Sequence, residues 1–124
     1  MKLADPRQGK GKRAEDAAVR ALKARGYRIL HRNYRERLGE LDIIAEDREA
    51  LVFVEVRSKS EGGPLRPIET IVPSKRRRLI ALAQLYLAKH NTAERACRFD
   101  VVEVTLNSEG KVSSLEVLAD AFRA

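Results

Sequence analysis

The sequence predicts an α/β fold in which a mixed β-sheet is flanked by helices, with the element order α-β-β-β-α-β-β. Two segments, 12–25 and 74–90, repeat apolar residues at helical spacing. Four runs are predicted to be strands: 27–35, 39–47, 51–59 and 98–106. The second and third are rich in β-branched and large apolar residues, as buried strands are. A helix between the third and fourth strands implies a crossover connection, so these two strands can run parallel, while hairpins join the first three.

The N-terminal part of the chain is predicted to contain an arm and a helix. Residues 1–10 form a flexible basic arm because Pro6 and Gly9 interrupt regular structure, and residues 11–124 form one domain. The first helix runs from about Lys12 to Arg25, with Gly26 as its C-cap. Glu15 shares the apolar face of this helix. The pattern leaves open whether Glu15 is functional or an ordinary helix-edge residue.

The remaining elements follow in order. The polar turn Asp47–Ala50 joins the second and third strands, and the loop 60–73 has a length typical of mobile or functional loops. Ser74 is predicted to cap a helix that ends near His90, with five residues facing inward: Leu79, Leu82, Ala83, Tyr86 and Leu87. The segment 111–118 is predicted as a fifth strand.

Composition and charge favour a globular domain and disfavour a membrane-spanning protein. A hydrophobic fraction of 44% and a charged fraction of 35% indicate a globular domain without a membrane span. The N-terminus lacks the apolar segment of a secretory signal, and the single Cys97 cannot form an internal disulfide, so a cytoplasmic location is predicted.

The net charge is +7, but residues 38–55 carry −5 between basic flanks. The basic flanks favour binding of a polyanion. The acidic centre is compatible with a polyanion only if it holds a cation. The alternative is a solvated basic surface with no partner.

Acidic residues on two apolar strands are the strongest functional signal. The second strand carries Glu40 and Asp42 on one face, opposite Leu41, Ile43 and Ala45. The third strand carries Glu55, Arg57 and Lys59 on one face. A buried carboxylate is costly unless it is paired or binds a metal. Strand pairing can bring Asp42 and Glu55 together as a site for a hard divalent cation, which suggests metal-assisted phosphodiester chemistry. The alternative is a cross-strand salt-bridge ladder, for example between Asp42 and Arg57.

Four cations begin the second helix: Lys75, Arg76, Arg77 and Arg78. Cations at a helix N-terminus oppose the helix dipole, at a cost of up to roughly 1 kcal/mol each. Free backbone N–H groups together with cations favour phosphate binding, which positions a duplex without reading its sequence. The alternative is a solvated face. The absence of Trp disfavours stacking on single-stranded bases.

An ordered set of motifs resembles the YraN-like family of small bacterial proteins, and more distantly the PD-(D/E)xK nuclease superfamily. The motifs are GKRAE (11–15), NYR (33–35), GELDIIA (39–45), LVFVEVR (51–57), Lys75 and RFDVV (98–102). The family is similar to archaeal Holliday-junction resolvases in fold and motif order. The resemblance implies a restriction-endonuclease-like three-layer fold.

The resemblance also implies roles for particular residues. Asp42, Glu55 and the carbonyl of Val56 would hold Mg²⁺ or Mn²⁺, and Glu15 would approach the ion from the first helix. Arg57 stands where the superfamily has a lysine, and an arginine cannot act as a general base because it does not deprotonate. Three explanations stay open: Lys59 reaches back to the site, the metal activates water unaided, or activity has been lost.

These observations predict a divalent-metal-dependent endonuclease that cleaves branched or structured DNA. The first alternative is a non-catalytic nucleic-acid-binding module on a nuclease fold, and the second is a structural partner protein. Resolvases of similar fold act as dimers, so a homodimer is a further expectation. The predicted phosphate track consists of Lys10, Lys12, Arg13, Arg57, Lys59 and residues 75–78.

Overall fold

The fold is a five-stranded mixed sheet with two helices, as the sequence predicts. The computed structural model of the protein describes residues 6–63, 71–90 and 95–122, with the backbone alone described for 6–10. The elements are α1 (Pro6–Ala24), β1 (Arg28–Glu36), β2 (Gly39–Asp47), β3 (Ala50–Ser60), α2 (Pro73–Lys89), β4 (Cys97–Leu106) and β5 (Val112–Phe122). The strands lie side by side in sequence order. β3 and β4 are parallel and the other neighbours are antiparallel, which confirms the predicted crossover.

Helices cover both faces of the sheet and give the fold three layers. On one face α2 packs on a cluster that includes Leu41, Phe53 and Val101. On the other face α1 packs on a cluster that includes Ile43, Val54 and Val102. Because β3 and β4 are apolar on both faces, they form the buried centre of the sheet. Among the described residues no helix is long and apolar enough to cross a membrane.

The first helix starts earlier than predicted. It begins at Pro6 rather than Lys12, and it includes Gly9. The expectation that both residues interrupt regular structure was therefore wrong: proline suits the first helical position, where its missing N–H has no partner to lose. The rest of the predicted arm, residues 1–5, lies outside the described residues. The predicted C-cap is confirmed, because Gly26 has φ +93° and Tyr27 N–H donates to the Leu22 carbonyl at 3.0 Å.

The second helix also starts at a proline. Pro73 is its first residue and Val72 its N-cap, with no side-chain capping bond, so the predicted cap at Ser74 was wrong. The inward face is confirmed: Leu79, Leu82, Ala83 and Tyr86 are buried and Leu87 is half-buried.

The fifth strand is longer than the predicted segment 111–118. It continues to Phe122, which is buried and stacks on Phe99 with ring centroids 4.6 Å apart. Part of the predicted loop 60–73, residues 64–70, lies outside the described residues.

Candidate active site

The alternation of side chains along β2 changes at Asp42. Leu41 packs in the cluster under α2, whereas Ile43 packs in the cluster under α1. Residues two apart on a regular strand share a face, so the predicted grouping of these two residues was wrong. Beside this point, on β1, Asn33 has a left-handed backbone with φ 55°. The regular alternation of side chains along β2 is therefore broken at Asp42.

Two carboxylates, Asp42 and Glu55, lie near enough at this point of the sheet for the charge of one to act on the other. Asp42 on β2 is half-buried, and its Oδ2 accepts a hydrogen bond of 2.8 Å from the Val56 amide of β3. Burial and the negative charge of Glu55 raise the pKa of Asp42 to about 7. The Val56 bond opposes this rise, while the charges of Glu15 and Glu40 add to it. Like charges held this close favour binding of a proton or a metal ion.

A lysine from α2 completes the cluster. Lys75 Nζ lies 2.6 Å from Glu55 Oε1. The Lys75 side chain is 46% exposed, whereas the Glu55 side chain is only 10% exposed. The structure therefore joins two features that the sequence analysis treats separately, the acidic pair on the strands and the basic start of α2.

Glu15 lies near the pair but is held by β1. Its Oε1 accepts hydrogen bonds from Arg32 Nε at 2.9 Å and from Asn33 Nδ2 at 3.1 Å. Its charge reaches Asp42, although its carboxylate is committed to these partners. Glu40 forms an ion pair with Arg35 of β1, with 3.2 Å between Nε and Oε2.

The two cations that follow Glu55 on β3 occupy different surroundings. Lys59 Nζ pairs with Glu103 Oε1 at 2.9 Å, so it binds to β4 rather than reaching back to Glu55. Arg57 is half-buried, two residues after Glu55. Sequence reasoning missed Glu103, although it carries the signal that identified Asp42, an acid within an apolar strand.

The carboxylate pair fits Mg²⁺ or Mn²⁺ better than an ion with many protein ligands. Within residues 6–63, 71–90 and 95–122, no group of three or more His, Cys, Asp or Glu side chains is arranged to hold a metal ion. Mg²⁺ commonly uses one or two carboxylates and completes its shell with water and substrate phosphate. Asp42 and Glu55 supply that donor set, while the Val56 N–H fixes the orientation of Asp42.

The other predicted phosphate-binding residues divide into two groups. Lys12, Arg77 and Arg78 are exposed, and of these the two arginines share the first turns of α2 with Lys75. By contrast, Arg13 donates to the Gly110 carbonyl at 3.0 Å, and Arg76 Nε donates to the Ile71 carbonyl at 3.1 Å. The guanidinium of Arg76 also lies 5.8 Å from the Phe122 ring centroid. The Lys10 side chain lies outside the described residues.

A second buried acid, in the RFDVV motif, belongs to a fully bonded network. Asp100 is completely buried and accepts hydrogen bonds from Tyr27 Oη at 2.8 Å, Arg98 Nε at 3.0 Å and the Asp120 amide at 2.9 Å. Arg98 also pairs with Asp47 at 2.8 Å, which ties β4 to the end of β2. Burial, and then the bond to Asp100, raises the pKa of Tyr27 to about 12. This arrangement indicates a structural role for the motif.

Comparison with known proteins identifies the family. The model of the uncharacterised protein family UPF0102 matches residues 14–104. A UPF0102 protein of Nitrosococcus oceani is 50% identical over 115 residues, covering 92% of this chain and 91% of the relative. One from Moorella thermoacetica is 46% identical over 116 residues, covering 94% and 97%. The chain therefore belongs to the UPF0102 family, which confirms the resemblance to YraN-like proteins.

Proposed function

We propose that this UPF0102 protein is a divalent-metal-dependent endonuclease that hydrolyses phosphodiester bonds in branched or structured DNA. The observation that carries the proposal is the proximity of three charged residues from two strands and a helix start: the charge of Glu55 acts on Asp42, and Lys75 forms an ion pair with Glu55. Two crowded carboxylates attract a divalent cation, and the basic helix start attracts phosphate. Metal-assisted cleavage of a phosphodiester bond requires the divalent cation and the phosphate to bind side by side.

The resemblance of the chain's motif order to the PD-(D/E)xK superfamily supports phosphodiester hydrolysis. The similarity of the YraN-like family to junction resolvases supports the same reaction. Asp42 and Glu55 would hold the ion, which when bound lowers the pKa of a water molecule and polarises the phosphoryl oxygen. Lys75 and the exposed Arg77 and Arg78 would hold the DNA backbone against the acidic pair. Arg57 would stabilise negative charge on the phosphate without exchanging a proton.

The charge of the whole chain supports a nucleic-acid partner. The net charge of +7 coexists with an acidic centre, and the cations at the start of α2 lie beside that centre. Such contacts release counterions, so DNA binding should weaken steeply with salt and show little sequence preference. Binding through the backbone suits a duplex or a junction. A cytoplasmic location and a homodimer remain predictions from the sequence.

Arg57 and Glu15 favour a second candidate, a nucleic-acid-binding module without catalysis. Arg57 replaces the superfamily lysine, and the Glu15 carboxylate is bound to Arg32 and Asn33 rather than turned to the pair. This candidate predicts salt-sensitive DNA binding with no metal-dependent turnover. Substitution Arg57→Lys separates the two, because a gain of cleavage would indicate a weakened active site.

A nuclease assay with Mg²⁺ or Mn²⁺ tests the proposal on four-way junction, flap, duplex and single-stranded DNA. Wild-type protein should cleave, and Asp42→Ala should reduce the rate by about 100-fold or more, since metal-ion catalysis supplies several kcal/mol and about 1.4 kcal/mol is a factor of ten. Asp16→Ala is the matched control, because Asp16 is a nearby acid bonded to Arg32. Its cleavage rate should stay close to that of wild type.

Three results would contradict the endonuclease. Equal cleavage by wild type and Asp42→Ala would remove the site assignment and indicate a contaminating nuclease. Binding without cleavage in either metal would favour the non-catalytic module. Absence of binding at physiological salt would exclude both candidates.

A further inference from the structure

Lys75 occupies an unusual position for a lysine. It lies in the first turn of α2, where the helix dipole disfavours a cation, yet its Nζ contacts Glu55 Oε1 at 2.6 Å. Another cation of β3, Lys59, is paired with Glu103. Lys75 is therefore a cation that the described structure places directly on Glu55 of the acidic pair.

Stability of the helix does not account for this contact. The Lys75 side chain is nearly half exposed, and an ion pair of such exposure contributes little to folding. The Glu55 carboxylate, in contrast, is buried next to Asp42 and needs a positive charge nearby. The contact therefore stabilises the charge of Glu55 beside Asp42, whereas it contributes little to the stability of α2.

We infer that Lys75 is an exchangeable counter-charge of the site, which occupies the place of the divalent cation beside Glu55 until a metal ion displaces it. This inference rests on the proposed function, because it requires that Asp42 and Glu55 bind the ion. A divalent cation and the Lys75 ammonium repel each other when both lie at Glu55 Oε1, so Lys75 and the ion compete for this oxygen.

Displacement gives Lys75 a second position. Its four-carbon stem is flexible and its end faces solvent, so the ammonium can turn away from Glu55 while the backbone of α2 stays in place. A phosphate that reaches the ion also reaches the N-terminus of α2, where the ammonium can form a charge-assisted hydrogen bond with it. Metal binding thereby releases a cation for the DNA at the site of cleavage.

The test measures Mn²⁺ affinity by titration calorimetry without DNA, together with single-turnover cleavage at saturating Mn²⁺. Lys75→Met removes the competing charge and keeps the apolar stem. The matched control is Lys89→Met, because Lys89 lies on the same helix, 2.6 Å from the Glu36 carboxylate, with a side chain 57% exposed. Lys75→Met should bind Mn²⁺ about tenfold more tightly than wild type, which corresponds to about 1.4 kcal/mol. Lys89→Met should bind like wild type.

Cleavage should change in the opposite direction. At saturating Mn²⁺, Lys75→Met should cleave at least about tenfold more slowly, because the phosphate loses its cation. A purely structural lysine would not produce tighter metal binding together with slower cleavage. Lys75→Gln provides a second variant that should shift both quantities in the same directions, and thermal unfolding should show all the variants folded.

The outcomes separate this inference from the proposed function. If Asp42→Ala abolishes Mn²⁺ binding while Lys75→Met binds Mn²⁺ as wild type does or more weakly, the exchange is overturned and the metal site stands. If wild type does not bind Mn²⁺, or Asp42→Ala binds it equally well, the proposed metal site fails and the exchange fails with it.

Discussion

Replacement of Asp42 by asparagine should stabilise the metal-free protein at neutral and alkaline pH. Burial and the charge of Glu55 raise the Asp42 pKa from 3.8 to about 7. The folded state therefore holds this proton up to a higher pH than the unfolded chain does. Ionisation of Asp42 thus costs folding free energy that begins near pH 4 and is fully present above about pH 7. Asparagine does not ionise, and its side-chain oxygen can still accept the Val56 hydrogen bond.

The magnitude follows from the two pKa values. The difference between 3.8 and about 7 corresponds to at most about 4 kcal/mol, at roughly 1.4 kcal/mol per pKa unit. Asp42 is only half-buried and the Lys75 ammonium lies on its neighbour Glu55, so water and this charge reduce the cost. We expect Asp42→Asn to raise the free energy of unfolding by about 1–2 kcal/mol at pH 8. The gain should be much smaller at pH 4, where the folded state is protonated and the unfolded chain, with a pKa of 3.8, is only a little more than half ionised.

Urea unfolding at pH 4, 6 and 8 measures this difference, with a chelator present because a bound cation would remove the penalty. Asp16→Asn is a control of opposite sign, since the hydrogen bond from Arg32 lowers the pKa of Asp16. That variant should be less stable than wild type at pH 8, and the deficit should shrink as the pH falls through the folded-state pKa. The reasoning is refuted if Asp42→Asn is less stable than wild type at pH 8, or if its gain is the same at pH 4.

Two further substitutions test the fold. Gly26→Ala should cost about 1–2 kcal/mol in urea unfolding, because φ is +93° while the added Cβ meets nothing within 4 Å; no measurable cost would mean that the left-handed C-cap is absent. Tyr27→Phe should cost about 1–3 kcal/mol, because fully buried Asp100 loses a hydrogen-bond donor, and a cost below about 0.5 kcal/mol would contradict that bond.

Most of the fold could be predicted because it depends on local patterns. The bounds of β2 agree with the prediction at both ends, since alternating apolar residues and flanking turns mark a strand locally. Both helix starts were misplaced at a proline: Pro6 was interpreted as interrupting regular structure and Pro73 was assigned to the preceding loop, although each occupies a first helical position. The end of β5 depends on the stacking of Phe122 on Phe99, a contact between strands that no local pattern shows.

The candidate site could be predicted in part. Acids among apolar residues indicated Asp42 and Glu55, because burial of a carboxylate needs a reason wherever it occurs. The contact of Lys75 with Glu55 could not be found this way, since it depends on where the crossover helix begins above the sheet. The same applies to the pairing of Lys59 with Glu103, which requires the parallel register of β3 and β4.

Comparison of the two buried acids distinguishes structure from function in this chain. Asp100 accepts hydrogen bonds from three residues, including Tyr27 through its hydroxyl, and folding explains its burial. Asp42 lies beside another carboxylate, Glu55, which is paired with a lysine at the N-terminus of α2, where the helix dipole disfavours a cation. Each of these features costs stability, and independent costs do not gather at one point by chance in a sequence selected only to fold. A ligand that relieves them together must be positively charged at Asp42 and negatively charged near Lys75. A divalent cation bound to a phosphate has that distribution of charge.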